Sequence, residues 1–166
     1  MRMNGKIVLI TGAAGTIGNA VARMVEREGG KALRTDLPAF EGQDHALDVT
    51  SEESWKQVVE AISAQHGALD GLVNSAGIAS LGTIESGCKY AMPLLKVRGG
   101  SIVNLSSVSG LVAGHNLASY NASKGAVRLL SKSVALYGAR LKPPVRCNSM
   151  HPTFVESAMV EAMLAN

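Results

Sequence analysis

The sequence predicts an α/β fold, a doubly wound parallel sheet of about six strands, and three observations predict it. Short apolar runs alternate along the chain with amphipathic stretches, as in successive strand–helix–strand units. The apolar runs are continuous, which is typical of parallel strands buried on both faces. A glycine-rich turn joins the first run to the first amphipathic stretch. The length of 166 residues suits a single domain covering residues 1–166.

The first part of the chain contains three predicted strands. The first is residues 7–10, and the helix after it ends at the glycine pair 29–30, because glycine readily adopts the left-handed backbone of a helix end. The second strand is 32–35 and the third is 46–49. Residues 37–44 between them are fewer than the roughly 10–12 that a helical crossover needs. We therefore expect a bare loop there.

The rest of the chain alternates in the same way. Thr50 and Glu53 resemble a capping box that opens a helix, with Thr50 as the N-cap. The later strands are predicted at three apolar runs, residues 69–73, 101–105 and 145–150. Amphipathic stretches predict helices around 88–95 and 119–137, and Ser157 is predicted to cap a last short helix bearing Met159, Val160, Met163 and Leu164.

Composition and charge exclude several classes of protein. With 46% hydrophobic residues, the chain is too apolar to be disordered. The net charge of +3 is too small to predict nucleic-acid binding, and the longest uncharged run, 99–123, is too rich in Ser, Asn and Gly to span a membrane. Cys88 and Cys147 lack metal-ligand spacing and fit a reduced, cytoplasmic protein. We expect no nucleic-acid, membrane or metal partner.

A turn rich in small residues, 11–18, lies directly between the first strand and its helix. Gly12, Gly15 and Gly18 let the backbone approach a phosphate closely. The helix N-terminus offers that phosphate free N–H groups and the positive end of the helix dipole. Tight strand–helix packing without a ligand is the alternative, but the position of the turn favours nucleotide binding.

Asp36 ends the second strand, 18 positions after Gly18. A carboxylate at this point can accept hydrogen bonds from two ribose hydroxyls and repels a 2′-phosphate, which favours NAD over NADP. The alternative is a solvated aspartate at a strand end. Arg34 lies on the same face of the strand and leaves some tolerance for a phosphate open.

Tyr120 and Lys124 are four residues apart and share one face of the predicted helix. An ammonium beside a phenol favours the phenolate, so the tyrosine can act as a general acid or base. Ser107 follows the fifth strand, at the carboxyl edge of the sheet where ligands bind. Its hydroxyl suits an alcohol or carbonyl oxygen held beside the tyrosine. By spacing alone, a tyrosine and a lysine one helical turn apart are an ordinary pair on a helix surface rather than a catalytic pair.

Over almost its whole length, the chain resembles the short-chain dehydrogenase/reductase family. The motifs that carry the resemblance stand in order along the sequence: Thr11-Gly12-x-x-x-x-Ile17-Gly18, Asp48-Val49, Asn74-Ser75-Ala76-Gly77, Ser107 at 13 residues before Tyr120, and Tyr120-x-x-x-Lys124. The resemblance implies a Rossmann-like sheet of order 3-2-1-4-5-6. It also implies hydride transfer between a nicotinamide and a secondary alcohol, ketone or hydroxysteroid.

The resemblance assigns roles to individual residues. Tyr120 would exchange the proton of the substrate hydroxyl, Lys124 would favour the phenolate and hold the nicotinamide ribose, and Ser107 would orient the substrate oxygen. It implies a set of cofactor-binding residues: Gly12, Gly15, Thr16, Ile17, Gly18, Asp36, Asp48, Val49, Asn74, Ala76, Gly77, Tyr120, Lys124, Pro152, Thr153 and Val155. The expected ligands are NAD and a small alcohol or ketone, and a homo-oligomer is possible.

The sequence also departs from the family pattern. Thr16 and Thr153 stand where the family usually has glycine. The stretch after Gly77 is short, and no position matches the family's fourth catalytic residue, an asparagine. The chain ends at Asn166, before any counterpart of the family's last strand. These departures leave a second hypothesis open, namely a truncated, catalytically weak or inactive protein that binds a dinucleotide or a partner.

Overall fold

The computed structural model describes residues 1–77, 83–157 and 160–161. Within these ranges strands and helices alternate along the chain. In order, they are β1 (Ile7–Thr11), α1 (Thr16–Arg27), β2 (Lys31–Asp36), β3 (His45–Ala46), α2 (Glu52–His66), β4 (Gly71–Asn74), α3 (Thr83–Leu95), β5 (Ser101–Leu105), a 3₁₀ helix (Val108–Gly110), α4 (Ala118–Gly138) and β6 (Arg146–Met150).

The strands form one parallel sheet in the order β3-β2-β1-β4-β5-β6, as predicted. Side chains of the central strands are buried on both faces: Leu9, Ile10, Leu72 and Ile102 are all 0% exposed. The continuous apolar runs of the sequence therefore reflect a sheet covered by helices on both sides. The sheet order confirms the Rossmann-like α/β fold.

Two apolar layers lie on opposite faces of the sheet. On one face, α2, α3 and α4 pack over a large cluster that includes Trp55, Ile62 and Leu95. On the other face, α1 contributes Ala22 and Val25 to a smaller cluster. The two layers hold the sheet rigid, so the ends of its strands form a defined edge.

Several predicted boundaries were wrong by a few residues. The third strand is only His45–Ala46, because the chain leaves the sheet at Asp48, whose Oδ1 accepts the N–H and hydroxyl of Thr50 at 2.9 and 2.7 Å. Thr50 does not cap α2, because the helix begins one residue later than predicted, at Glu52. The N-cap is Ser51 instead, and its Oγ accepts the N–H of Ser54 at 3.1 Å.

The connections between strands follow the predictions more closely. Residues 37–44 form a loop without a helix, as expected. In the described part of the crossover from β4 to β5, which leaves out residues 78–82, there is one helix, α3. Ser157 accepts the N–H of Val160 at 3.4 Å, while Met159, Met163 and Leu164 of the predicted last helix lie outside the described residues. No helix in the described part of the chain is long and apolar enough to cross a membrane.

Trp55 is a fully buried residue of the larger apolar layer. Its side chain is 0% exposed, its indole N–H donates to the carbonyl of Val49 at 3.1 Å, and its ring stacks on Tyr90 at 6.4 Å between centroids. We expect Trp55→Ala to lower the free energy of unfolding by about 3–5 kcal/mol, since it leaves a large cavity. Urea unfolding followed by circular dichroism measures this loss.

Trp55→Phe is the matched control, because it keeps most of the apolar volume and removes the indole hydrogen bond. We expect it to cost about 1–2 kcal/mol. Equal losses for the two variants would contradict the view that cavity filling by the indole dominates at this position.

Candidate functional site

The turn between β1 and α1 is packed tightly against the chain that follows β4. Gly12 has a φ of +66°, and a Cβ at this position would lie 2.7 Å from the Cα of Ala76. A Cβ on Gly18 would lie 2.1 Å from the carbonyl oxygen of Gly12. The hydroxyl of Thr11 accepts the N–H groups of Ser75 and Ala76 at 3.2 and 3.1 Å. Both glycines are thus required by close backbone packing.

The N-terminus of α1 opens from this turn without a side-chain cap. Gly15 precedes the helix with an extended backbone, and the first helical turn contains no acidic residue. The first N–H groups of the helix, including those of Thr16 and Ile17, have no carbonyl four residues earlier in the helix to bind. They are therefore suited to an anion such as a phosphate. Thr16 places a hydroxyl at the same helix end.

Asp36 lies beside the same turn. Its Oδ2 accepts the N–H of Ala14 at 2.8 Å, and its Oδ1 accepts the N–H of Leu37 at 2.9 Å. A pocket of about 230 Å³ is lined by Asp36, Arg34 and Glu41 together with residues of the turn. The carboxylate therefore borders a cavity next to the helix N-terminus, where it can accept hydrogen bonds from a sugar.

Arg34 lines the same pocket, and its charge is balanced from within the protein. Its Nη2 donates to Oε2 of Glu26 at 2.9 Å, and this hydrogen bond lowers the pKa of Glu26. A larger groove of about 570 Å³ runs along the outer face of α1 past Arg23 and Arg27. That groove contains none of the predicted catalytic residues.

Asp48 and Val49 follow β3 at the same edge of the sheet. Hydrogen bonds from the hydroxyl and N–H of Thr50 lower the pKa of Asp48. Val49 is buried, and its carbonyl is taken by the indole of Trp55. Because Ala46 pairs with Asp36, the end of β3 lies directly beside the end of β2.

Asn74 turns into the protein. It is 3% exposed, and its Nδ2 donates to Oδ1 of Asn104 at 2.8 Å. Nδ2 of Asn104 in turn donates to Oγ of Ser131 at 2.9 Å. The side chain of Asn74 thus joins β4 to β5. The predicted contact of Asn74 with a cofactor would therefore have to come from its backbone. Ala76 lies against the glycine turn, and Gly77 is exposed.

Tyr120 and Lys124 lie on one face of α4, as their spacing predicts. The Lys124 Nζ is 5.7 Å from the centroid of the Tyr120 ring and donates to the carbonyl of Leu105 at 2.9 Å. Burial lowers the pKa of Lys124. Tyr120 is 40% exposed, so its ring remains open to a ligand. The pair therefore sits at the carboxyl end of β5.

Ser107 follows β5 by two residues and is 8% exposed. Its Oγ accepts the N–H of Ser109 at 3.2 Å, which leaves its hydroxyl proton free to donate. Its neighbours hold this segment close to α4. Ser106 Oγ donates to the carbonyl of Lys124 at 2.8 Å, and Gly110 lies so near the same carbonyl that a Cβ there would be 2.6 Å from its oxygen.

The residues after β6 complete this edge of the sheet. The carbonyl of Pro152 accepts the N–H of Val108 at 2.9 Å, Thr153 is exposed, and Val155 is half-buried. His151 is not among the residues predicted for the site, yet its ring makes two contacts there. The imidazole hydrogen-bonds Ser149 Oγ at 2.9 Å and the carbonyl of Ser107 at 3.0 Å. The one local signal was that the histidine follows the serine by two residues at the end of β6.

The arrangement combines three chemical capacities along one edge of the sheet. An uncapped helix end can bind a phosphate, a carboxylate can bind a diol, and a phenol beside an ammonium can exchange a proton. The structure brings the turn and Asp36 together at β1 and β2. It brings Ser107, Tyr120 and Lys124 together at β5. These two groups are joined through the contact between the turn and the chain after β4.

Comparisons with known proteins agree with this chemistry. A family model described as short chain dehydrogenase matches residues 6–92 and 84–166. The 3-beta-hydroxysteroid dehydrogenase of Comamonas testosteroni is 32% identical over 193 aligned residues, which cover 98% of this chain and 76% of that protein. The NADP-dependent (R)-specific alcohol dehydrogenase of Lentilactobacillus kefiri is 30% identical over 96% of this chain and 77% of its own length.

The fold comparison points the same way. The solved structure of Thermoplasma acidophilum aldohexose dehydrogenase, in ligand-free form, matches with a TM-score of 0.84 and 31% identity. The match covers 97% of this chain and 71% of that one. The two segments matched by the family model overlap at residues 84–92. These residues lie in the crossover between β4 and β5, the stretch that is shorter than the family pattern.

Gly18 tests whether the turn is set by backbone contact. We expect Gly18→Ala to destabilise the fold and weaken dinucleotide binding together, because the new Cβ would meet the carbonyl of Gly12 at 2.1 Å. Thermal unfolding with and without NAD measures both effects. Gly125→Ala is the control, since a Cβ there meets nothing within 4 Å. On a helix we expect it to stabilise by up to about 1 kcal/mol. A Gly18→Ala protein as stable as Gly125→Ala would contradict the described turn.

Proposed function

The chain belongs to the short-chain dehydrogenase/reductase family, and we propose that it transfers a hydride between a nicotinamide dinucleotide and a secondary alcohol or the corresponding ketone. The observation that carries the proposal is the Lys124 ammonium, 5.7 Å from the Tyr120 ring at the carboxyl end of β5. In this proposal one domain, residues 1–166, provides both the cofactor site and the catalytic residues.

The residues at the β1 turn fit a dinucleotide. The turn and the uncapped N-terminus of α1 would hold the pyrophosphate, since the first helical turn carries no competing carboxylate. Asp36 would accept hydrogen bonds from the adenosine ribose, and Asp48 and Val49 would border the adenine. The bound nicotinamide supplies or accepts the hydride. Lys124 would hold the nicotinamide ribose beside Tyr120.

NAD rather than NADP is the proposed cofactor. The Asp36 carboxylate borders the pocket beside the turn and would repel a 2′-phosphate. The Arg34 guanidinium, which could attract that phosphate, is already paired with Glu26. The Lentilactobacillus kefiri relative is NADP-dependent by name, so membership of the family does not decide between NAD and NADP. The proposed preference for NAD therefore depends on Asp36 and Arg34 of this chain.

Proton exchange is assigned to Tyr120. The Lys124 Nζ lies 5.7 Å from the centroid of its ring, and in this proposal the phenol takes a proton from an alcohol or returns it to a ketone. The Ser107 hydroxyl would donate to the same substrate oxygen, because its oxygen already accepts the N–H of Ser109. Lys124 is held by the carbonyl of Leu105, a partner that the chain itself provides. Lys124 therefore has a backbone anchor, although no position of the sequence matches the family's catalytic asparagine.

Apolar side chains around the carboxyl edge support an apolar alcohol as substrate. Leu111 and Val112 follow the 3₁₀ helix after Ser107, and Met150 and Phe154 lie at and beyond the end of β6. All four are more than half exposed, with Phe154 at 78%. Exposed apolar side chains gathered near a site are typical of a surface that binds a ligand.

Two further proposals concern the surroundings of the protein. The exposed Leu129, Leu136 and Tyr137 on α4 support a homo-oligomer, because a helix face with large apolar side chains gains from burial against a second copy. The free, buried thiols of Cys88 and Cys147 support a reducing, cytoplasmic location.

Tyr120→Phe tests the catalytic assignment. We expect turnover of secondary alcohols to fall about 10²–10⁴-fold, because the variant lacks the hydroxyl that exchanges the proton. NADH absorbance with a panel of cyclic and steroidal alcohols measures turnover, and calorimetry shows that NAD still binds. Tyr137→Phe, at the exposed far end of α4, is the control and should retain full activity.

Unchanged turnover in Tyr120→Phe would refute the assigned mechanism. NAD binding by the wild-type chain without turnover of any alcohol would instead favour the second hypothesis, a dinucleotide-binding protein without activity.

Asp36→Ala tests the cofactor preference. Loss of a charge-assisted hydrogen bond of about 1.5–3 kcal/mol should weaken NAD binding roughly 10- to 100-fold. NADP binding should fall less or improve, because the repulsive carboxylate is gone. Calorimetric Kd values for both nucleotides give the ratio. Glu41→Ala, an exposed carboxylate lining the same pocket, should change that ratio little. An unchanged ratio in Asp36→Ala would refute the role of Asp36.

A further inference from the structure

We propose that His151 is a positioning residue for Ser107, acting through the peptide unit that joins Ser107 to Val108. The inference rests on the proposed function, because it gives the Ser107 hydroxyl a substrate oxygen to orient. It concerns a residue that lies outside the predicted site, directly after β6, the strand next to β5 in the sheet.

The ring contacts define one tautomer of the neutral His151 ring. Nδ1 lies 3.0 Å from the carbonyl oxygen of Ser107, and Nε2 lies 2.9 Å from Oγ of Ser149. A carbonyl oxygen only accepts hydrogen bonds, so Nδ1 carries a proton. In the neutral ring Nε2 is then an acceptor, and the Ser149 hydroxyl donates to it. The Ser107 carbonyl thereby selects this tautomer, and the Ser149 hydroxyl, which can donate or accept, matches it.

The two ends of a single peptide unit are held by consecutive residues. The Ser107 carbonyl accepts from His151 Nδ1, and the Val108 N–H of the same planar unit donates to the carbonyl of Pro152 at 2.9 Å. The Gly110 N–H also donates to the Ser107 carbonyl, at 2.9 Å. Because the unit is planar, hydrogen bonds to both its N–H and its C=O fix its orientation.

The hydrogen bonds that hold this peptide unit also restrain the position of the Ser107 hydroxyl. The Ser107 Oγ accepts the N–H of Ser109, which belongs to the short turn that begins with this peptide unit. A rotation of the Ser107–Val108 peptide would therefore move the hydroxyl. Misplacement of a reacting group by about 1 Å can cost around 10²-fold in rate.

The kinetic experiment compares His151→Leu, His151→Asn, Ser107→Ala and the double variant Ser107→Ala/His151→Leu. His151→Leu should lower kcat roughly 10- to 100-fold with an unchanged Kd for NAD. His151→Asn should recover most of the loss, because its amide Nδ2 can donate close to where the imidazole Nδ1 does. If His151 acts through Ser107, His151→Leu should cost no further activity in the Ser107→Ala background. His115→Leu, in an exposed loop, is the control.

A merely structural role would give another pattern. The losses of His151→Leu and Ser107→Ala would multiply in the double variant, His151→Asn would not recover activity, and NAD affinity would fall with stability. Any of these results overturns the proposal while leaving the proposed function intact, since wild-type turnover is measured in the same series.

A spectroscopic readout separates this inference from the proposed function. Nitrogen-15 NMR of the histidine rings in the NAD-free protein should show the His151 ring protonated at Nδ1 and unprotonated at Nε2. Ser149→Ala should shift the Nε2 resonance, and His115 should show neither feature. A ring protonated at Nε2 alone overturns the inference. Absence of turnover in the wild-type chain would refute the proposed function, and the catalytic part of the inference with it, whereas the tautomer would still decide the contact to Ser107.

Discussion

Burial of the central strands on both faces is the constraint on which the site depends. Leu9, Ile10, Leu72 and Ile102 are all 0% exposed, so the interior of the sheet is closed to water and to ligands. Polar chemistry is then confined to the ends of the strands, where the backbone leaves the apolar layers. Because all strands are parallel, their carboxyl ends meet at one edge, and this places the glycine turn, Asp36 and Ser107 along a single line.

One buried polar cluster lies between these apolar layers, and its side chains hydrogen-bond to one another. Asn74, Asn104 and Ser131 form a chain of hydrogen bonds of 2.8 and 2.9 Å across β4, β5 and α4. The thiols of Cys88 and Cys147 lie 3.8 and 3.6 Å from Nδ2 of Asn104. A hydrogen bond between the two free thiols, together with burial, raises the pKa of Cys88. A buried network of this kind is stable only when each member finds a partner, and here it ties α3 to the sheet.

Local spacing was enough to predict much of the molecule. The i, i+4 relation placed Tyr120 and Lys124 on one face of α4, and the short loop 37–44 followed from chain reach alone. Other local preferences competed closely. Thr50 and Ser51 are both good capping residues, and in the structure Ser51 caps α2 while the Thr50 hydroxyl donates to the Asp48 carboxylate. The side chain of Asn74 belongs with Asn104, a partner 30 positions away along the chain, which no local pattern shows.

The glycine turn and the candidate proton-exchanging pair were readable from residue order, since each depends on neighbours a few positions apart. The order of the strands was expected only from the resemblance to a family, because strands far apart along the chain pair in the sheet, as β1 does with β4. Packing between segments decided the remainder: the Lys124 ammonium on the Leu105 carbonyl, the pairing of Arg34 with Glu26, and the reach of His151 to Ser107. These contacts depend on how α1 packs against β2 and on how β5, β6 and α4 pack against one another. Their geometry is set by packing over the whole sheet, to which each short stretch of sequence contributes only a part.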